Sequence, residues 1–301
     1  MTRALGPQEF RLDPRQVRRS FDRAANGYDE SAVLQERVRL ELLERLDLLR
    51  IDPAVIVDLG AGTGGASREL KRRYRGSRVV AVDIAEAMLR RASRRQGLLR
   101  RFDRVCADAT GLPLRDGSVD MVFSNLALHW SDDPDRAFAE CRRVLAPGGV
   151  LTFTTYGPDT LIELRRAWAA VDGHVHVNQF IDMHDLGDAL VRAGFAEPVM
   201  DVERYTLTYS QVIGLMRDLK AIGARNVNAG RSRSLTGKGA LARMTAAYEK
   251  CRIDGRLPAT FEVVYGQAWR PVGTQHPRAS GEAVVPVSSI GRRKGKEESG
   301  S

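Results

Sequence analysis

The stretch Val55-Ile-Val-Asp58-Leu-Gly60-Ala-Gly62-Thr-Gly64-Gly65 constrains this chain more than any other. A short β-branched run enters glycines at every second position, and a helix-prone run follows. Glycine lets the backbone turn sharply and lets a ligand come close to the peptide groups. A turn at the carboxyl end of a buried strand is where open α/β sheets bind ligands. The spacing is not G-x-G-x-x-G, which marks dinucleotide sites. Nor is it G-x-x-x-x-G-K-[ST], whose Lys and hydroxyl hold phosphate and magnesium. The order here is G-x-G-x-G.

Around this loop, short β-branched runs alternate with helical stretches, the mark of βαβ units. The runs predict strands over Val55–Leu59, Arg78–Asp83, Arg104–Ala107, Val119–Ser124 and Gly149–Thr155, then Val199–Tyr209 and Thr260–Trp269. Helices are expected at Gly65–Tyr74, Ala85–Arg95 and Pro134–Leu145, the last stopped by Ala146-Pro147-Gly148-Gly149. Further helices are expected after Pro158, at Met183–Ala193 and between the last two strands. The expected fold is α/β, with a doubly wound, mostly parallel seven-stranded sheet of Rossmann-like type. Residues 1–14 read as a flexible leader and 15–50 as one amphipathic helical lid. Residues 51–272 carry the main domain, with a substrate-binding insert around 157–197 and 210–255. Residues 273–301 are rich in Gly, Ser, Lys and Glu, which predicts a disordered tail.

Three acids follow three successive strands: Asp58, Asp83 and Asp108. Asp58 suits the amino group of a zwitterion. Asp83, 19 residues after Gly64, suits two ribose hydroxyls. Asp108 suits an adenine amino group. Such a set fits a nucleoside with a cationic amino acid arm and would repel a pyrophosphate. The fourth strand ends Ser124-Asn125-Leu126-Ala127-Leu128-His129-Trp130. His129 is a candidate base, and Trp130 either packs or stacks on a ligand.

Loop and acids together resemble class I S-adenosylmethionine-dependent methyltransferases, over about Ile51 to Tyr156. The resemblance implies S-adenosylmethionine as co-substrate without a metal. It places Asp58, Gly60, Ala61, Gly62, Gly64, Asp83, Ile84, Met88, Asp108, Ala109, Asn125 and Leu126 around that molecule. Methyltransferases acting on nucleic-acid amino groups carry N/D-P-P-Y/F after the fourth strand. This chain does not, which argues against base methylation.

Composition narrows the setting. Cys106, Cys141 and Cys251 are the only cysteines and lie far apart, so neither a disulfide framework nor a zinc pattern is expected. Cys106 is expected in a strand and the other two in helices. No apolar run approaches the roughly 20 residues that span a bilayer. The start MTRALGPQEFRLDPRQVRRS has no apolar h-region, so a cytoplasmic protein is expected. A net charge of +9 suits nucleic acid, anionic lipid or an acidic protein alike. Most of it is interleaved with Asp and Glu as on a solvated surface, so charge alone does not choose a partner.

Further segments resemble the malonyl-acyl-carrier-protein O-methyltransferases of early biotin synthesis, from about Arg18 to Pro271. They are Ser20-Phe21-Asp22-Arg23-Ala24-Ala25-Asn26-Gly27-Tyr28-Asp29, Phe180-Ile-Asp-Met-His184-Asp185, Asp218–Asn226, Leu235–Lys238 and Leu257–Gly266. The resemblance implies methylation of the free carboxylate of a malonyl thioester on acyl carrier protein or coenzyme A. It implies no nucleic acid and no membrane partner. It makes Tyr28 a lid residue closing over the co-substrate. A cationic clamp for the substrate carboxylate is expected, with Arg225 leading and Lys220 and Lys238 behind it. Alternatives left open are a methyltransferase for a quinone-type small molecule, a related hydroxylase or assembly factor for a respiratory complex, and a cofactor-binding regulator.

Overall fold

A computed structural model describes residues 12–97, 100–224, 226–228 and 237–273. The first eleven residues, the tail from residue 274 and Arg225 lie outside the described residues.

Seven strands form one sheet: β1 (Val55–Leu59), β2 (Arg78–Asp83), β3 (Asp103–Cys106), β4 (Val119–Asn125), β5 (Leu145–Tyr156), β6 (Ala196–Tyr209) and β7 (Leu257–Trp269). Their order is β3-β2-β1-β4-β5-β7-β6. The first five strands pair in parallel, while β7 runs antiparallel to both β5 and β6. The expected doubly wound, mostly parallel architecture is therefore the one observed. Chain connections diverge between β1 and β4, which opens a crevice at their carboxyl ends.

Side chains alternate across the sheet with the period of two that a strand imposes. Ile56, Val79, Met121 and Val150 point into one core. There they meet α3 (Val33–Arg45), α4 (Gly65–Arg73), α5 (Glu86–Arg95), α7 (Ile162–Ala169), α9 (Val212–Ala221) and α10 (Lys238–Glu249). Val57, Val80, Val122 and Leu151 point the other way, onto α6 (Pro134–Val144) and α8 (Met183–Arg192). Burial on both faces explains why these strands read as continuous apolar runs.

Local chemistry sets several boundaries. Asp13 accepts the amide of Arg15 and Pro14 opens α1 (Pro14–Ala24), so of the residues assigned to the leader Pro14 belongs to this helix and Asp13 caps it. Asp133 and Asp182 cap α6 and α8 in the same way. The single helix expected from Arg15 to Arg50 is instead broken into α1, a one-turn α2 (Tyr28–Ser31) and α3. Gly27 and Ala32 leave helical geometry at the two breaks. Val33, placed on the buried face by spacing, is 64% exposed because the break at Ala32 restarts the register. The turn expected at Ala146–Gly149 lies inside β5. Leu145 pairs with Val119 and Val150 with Met121, so the intervening residues bulge out of the ladder. Cys251, expected in a helix, sits just past the end of α10.

Candidate active site

Three cavities adjoin at the carboxyl ends of β1 and β4, and Tyr28 lines all three. The first has an empty volume of about 730 Å³ and is lined by Gly60, Gly62, Asp83, Ile84, Met88, Asp108, Ala109, Asn125 and Leu126. Helix α1 adds Val17 and Phe21 to its lining. The second, polar and about 670 Å³, lies across the glycine loop and takes in Asp58 and Ala61. It shares Gly60, Gly62 and Asn125 with the first. The third, also about 670 Å³, is walled by His129, Trp130, Tyr156, Phe180 and Phe261. It meets the first at Leu126, Phe21 and Trp130. Every expected cofactor residue except Gly64 therefore lines the first or second cavity.

The loop is held by the strand beside it. The amides of Gly60 and Ala61 donate to the Val82 carbonyl at 2.8 and 3.0 Å. The Gly62 amide donates to Asp83 Oδ2 at 2.8 Å, and Ala85 donates to Oδ1 at 2.8 Å. Gly64, at φ +77°, is packed rather than open: a Cβ there would lie 2.9 Å from Ala92 Cβ and 3.0 Å from Phe102. Its place is at the start of α4, against α5. Gly62, by contrast, has nothing within 4 Å of a Cβ position, so the loop leaves free space on the cavity side.

Burial pushes the Asp83 carboxyl up to about 6, against the opposing pull of the Ala85 and Gly62 amides. Burial also raises Asp58 to about 6, opposed by Ser67, whose hydroxyl donates to Oδ2 at 2.5 Å. Asp108 Oδ1 accepts both the amide and the hydroxyl of Thr110 at 2.9 and 2.8 Å, which fixes the carboxylate at the cavity rim. Asp83 and Asp108 thus share one cavity, and Asp58 faces the polar neighbour.

The third, apolar cavity is walled largely by aromatic and aliphatic side chains. The His129 ring lies 4.7 Å from Tyr156, 5.2 Å from Trp130 and 5.6 Å from Phe180. Burial drives the imidazole down to about 3, so it is neutral at physiological pH. Its Nδ1 is buried without a hydrogen-bond partner among the described residues. A neutral ring this reluctant to take a proton is a poor general base. Tyr28 and Tyr156 hydroxyls are both held well above the usual phenol range by burial. Gln35 on α3 donates to Tyr156 Oη at 3.3 Å, and its carbonyl accepts Asn125 Nδ2 at 3.0 Å, so the lid is tied to the end of β4.

Of the expected clamp residues, Lys220 and Lys238 are exposed and line none of the three cavities. Arg225 lies outside the described residues, although Ala224 and Asn226 on either side of it line the apolar cavity. The sequence reading missed the polar stripe of the lid. Ala32, Gln35, Glu36 and Arg39, spaced three, four and seven apart, all line the polar cavity. That spacing was visible on the face opposite the apolar residues of α3, but a polar helix face ordinarily reads as solvated.

Free space beside Gly62, buried carboxylates in two joined cavities and guanidinium groups in the polar one fit a nucleoside carrying a zwitterionic arm. A methyltransferase domain family matches residues 57–153. A malonyl-(acyl-carrier protein) O-methyltransferase of Laribacter hongkongensis is 57% identical over 88% of this chain and 92% of that protein. One from Methylovorus sp. strain MP688 is 54% identical over 87% of this chain and 90% of that protein. Among solved structures, the YcgJ protein of Bacillus subtilis superposes with a TM-score of 0.54 at 16% identity, covering 77% of this chain and 98% of that one. That likeness concerns the fold alone.

Proposed function

This chain belongs to the malonyl-(acyl-carrier protein) O-methyltransferases, and from that premise we propose which of its residues carry the reaction and on what substrate. It is an S-adenosylmethionine-dependent methyltransferase of class I fold. The acceptor is the free carboxylate of a malonyl thioester on acyl carrier protein, which becomes a methyl ester. Masking that charge lets the acyl chain be elongated like an ordinary fatty primer, the opening step of pimeloyl formation in biotin synthesis. The observation that carries the assignment of residues is the meeting of three cavities at Tyr28, two suited to an adenosyl amino acid and one apolar.

S-adenosylmethionine, when bound, supplies an electrophilic methyl group. In this reading Asp83 holds the ribose, Asp108 the adenine edge and Asp58 the α-ammonium, while Gly62 gives the nucleoside room. A malonyl carboxylate is already ionised at neutral pH, so no strong base is required. The work left to the chain is orientation and removal of water from an anion that meets a cation. Tyr156, Phe180 and Trp130 suit the second task, and Tyr28 closes the junction from the lid. His129 contributes a neutral polar contact at the acceptor rather than proton abstraction. Arg225, between two cavity-lining residues, remains the proposed carboxylate clamp. The excess of 47 Lys and Arg over 38 Asp and Glu suits an acidic carrier protein and would steer it more weakly as salt rises. No helix among the described residues is long and apolar enough to cross a membrane, and a cytoplasmic setting without nucleic acid belongs to the same proposal.

The test is incubation with labelled S-adenosylmethionine and malonyl-acyl carrier protein. Label recovered as a base-labile ester is the expected result. Ready methylation of a small quinol with none of the malonyl carrier would overturn the reading.

A further inference from the structure

Helix α1 carries Arg15, Arg19 and Arg23, spaced four apart and therefore aligned in one stripe. All three are exposed, and none forms an ion pair among the described residues. The opposite face buries Val17 and Ala24, and it puts Val17 and Phe21 into the nucleoside cavity. The acids of this region are engaged elsewhere. Asp13 accepts the Arg15 amide at 3.0 Å and Gln16 Nε2 at 2.7 Å, as a cap. Asp22 accepts the Ala87 amide of α5 at 3.0 Å and lies 3.8 Å from Arg18, outside the stripe. The first turn of α1 holds no acid. Like charges four apart destabilise a helix, and Arg15 sits near its positive N-terminal end, so the stripe works against α1 as it stands. Other exposed arginines do meet carboxylates, as Arg90 meets Glu86 and Arg192 meets Asp135.

Position gives the stripe its use. Helix α1 leads through Gly27 into Tyr28, where the three cavities meet. Its last turn packs on the segment after α9: a Cβ on Gly223 would lie 3.1 Å from Phe21 and 3.3 Å from Ala24. Leu219 and Ile222, beside that contact, wall the apolar cavity. A partner seated on the stripe is thus held next to the acceptor cavity, where a group tethered to it can enter. The three guanidiniums span about 12 Å of helix. Carboxylates on the exposed face of an acidic helix repeat at the same spacing and would pair with them. The stripe has no aromatic ring for base stacking and no outward apolar side chain for a bilayer, which favours a protein. We propose that Arg15, Arg19 and Arg23 form the docking surface for the acidic carrier protein. This rests on the carrier-bound substrate of the reading above. It gives α1 two faces with separate tasks, the inner one on the nucleoside cavity and the outer one on the carrier.

The test combines Arg15→Gln, Arg19→Gln and Arg23→Gln in one variant. Its kcat/KM for malonyl-acyl carrier protein should fall by about tenfold at low salt, the sum of three exposed ion pairs, with kcat at saturation unchanged. The salt dependence of kcat/KM should flatten relative to the parent. The malonyl thioester of pantetheine, which lacks the protein, should be turned over within about twofold of the parent rate. Fluorescence anisotropy with labelled apo-carrier, which lacks the arm, should show the same tenfold loss of affinity. Arg19→Glu separates docking from folding. It sets an acid between two arginines at helical spacing, so α1 gains stability while carrier affinity falls further than with Arg19→Gln. A residue that only supports the helix would move both in one direction. Unchanged anisotropy in the triple variant would overturn the proposal, whether or not binding to RNA or anionic vesicles were lost. Equal losses on the carrier and pantetheine substrates would overturn it as well. If the parent methylated no malonyl carrier, the substrate reading itself would fail, a result visible without any variant.

Discussion

A Cβ placed on Gly60 would lie 2.1 Å from the Cβ of Ala127, whereas one on Gly62 would meet nothing within 4 Å. Both glycines have positive φ, +74° and +54°, yet the two positions do different things. Gly60 lets the exit of β1 pass beneath the residues that follow β4. Gly62 leaves its side of the cavity empty. Gly60→Ala therefore adds a backbone-level clash to the cost of left-handed geometry, and destabilisation of about 3 kcal/mol or more is expected. Gly62→Ala should cost only about 1–2 kcal/mol in stability, from φ alone. Its methyl group would nevertheless stand in the nucleoside space and weaken S-adenosylhomocysteine binding. Thermal melts and calorimetry on both variants separate the two roles. Equal destabilisation with equal loss of binding would refute the distinction.

On the proposed assignment of Asp83 to the ribose and Asp58 to the ammonium, these two carboxylates set the pH range for ligand binding. Each has a folded value of about 6, raised by burial from the ordinary 3.8. A raised value means that their contribution to stability is fully present below 3.8 and is lost as pH rises through 6. These two groups therefore make the ligand-free protein relatively more stable in mild acid. Binding has the opposite preference, because ribose donors and an ammonium require ionised carboxylates. Affinity for S-adenosylhomocysteine should be flat above pH 7. Below pH 6 it should fall by about tenfold per unit for each carboxylate that must ionise. The ligand-induced rise in melting temperature should shrink between pH 7.5 and 5.5. A rise that stays constant across that range would contradict the assignment.

The loop and the placing of its three acids were legible because their information is local: spacing along a few residues dictates a turn, and the ends of successive strands dictate where Asp58, Asp83 and Asp108 appear. The parallel sheet was legible for the same reason, since strands buried on both faces show as apolar runs. What the sequence concealed depends on distant partners. A Cβ on Gly65 would lie 2.2 Å from Arg39 Nη1, a contact between two helices that no periodicity announces. The start of β5 at Leu145 rather than Gly149 follows from pairing with Val119. The break at Ala32 lies in a stretch whose apolar spacing reads straight through as helix, and only the folded geometry resets its register. His129 reads in sequence as either a base or a packed ring, and the aromatic walls around it, which no spacing shows, favour the neutral ring.

Arg45 ties the lid helix to the far edge of the sheet. It donates to Asp201 Oδ2 at 2.9 Å and to Glu203 Oε1 at 2.6 Å, and its guanidinium lies 3.9 Å from the centroid of the Tyr265 ring. Tyr205 donates to Glu203 at 2.6 Å, with its hydroxyl also 2.6 Å from that of Tyr265, so the acceptor is held in place. Lysine keeps the charge but cannot make the fork or stack flat on the ring. Arg45→Lys should cost about 1 kcal/mol and lower the melting temperature by about 2–4 °C. Glu203→Gln made together with it should cost less than the sum of the two changes. Additive effects would show that the fork contributes nothing.

His129 offers the sharpest separation of contact from proton transfer. Burial holds its imidazole near 3, below the 6.5 of an unfolded chain. A depressed value means that the associated stability is intact above pH 6.5 and lost as pH falls toward 3, at about 1.4 kcal/mol per unit while only the unfolded chain binds the proton. His129→Phe removes that proton from the balance and fills the aromatic wall with a ring. At pH 7 the variant should be about as stable as the parent. At pH 5 it should be more stable by about 2 kcal/mol, read from urea melts. Comparison at the same pH cancels the contributions of Asp58 and Asp83. In catalysis, loss of one hydrogen bond to the acceptor should lower kcat/KM by about tenfold without changing the shape of its pH profile. A proton-abstracting role predicts instead a far larger loss in kcat and the disappearance of an acid limb. Observing that limb in the parent and not in the variant would return His129 to the position of base.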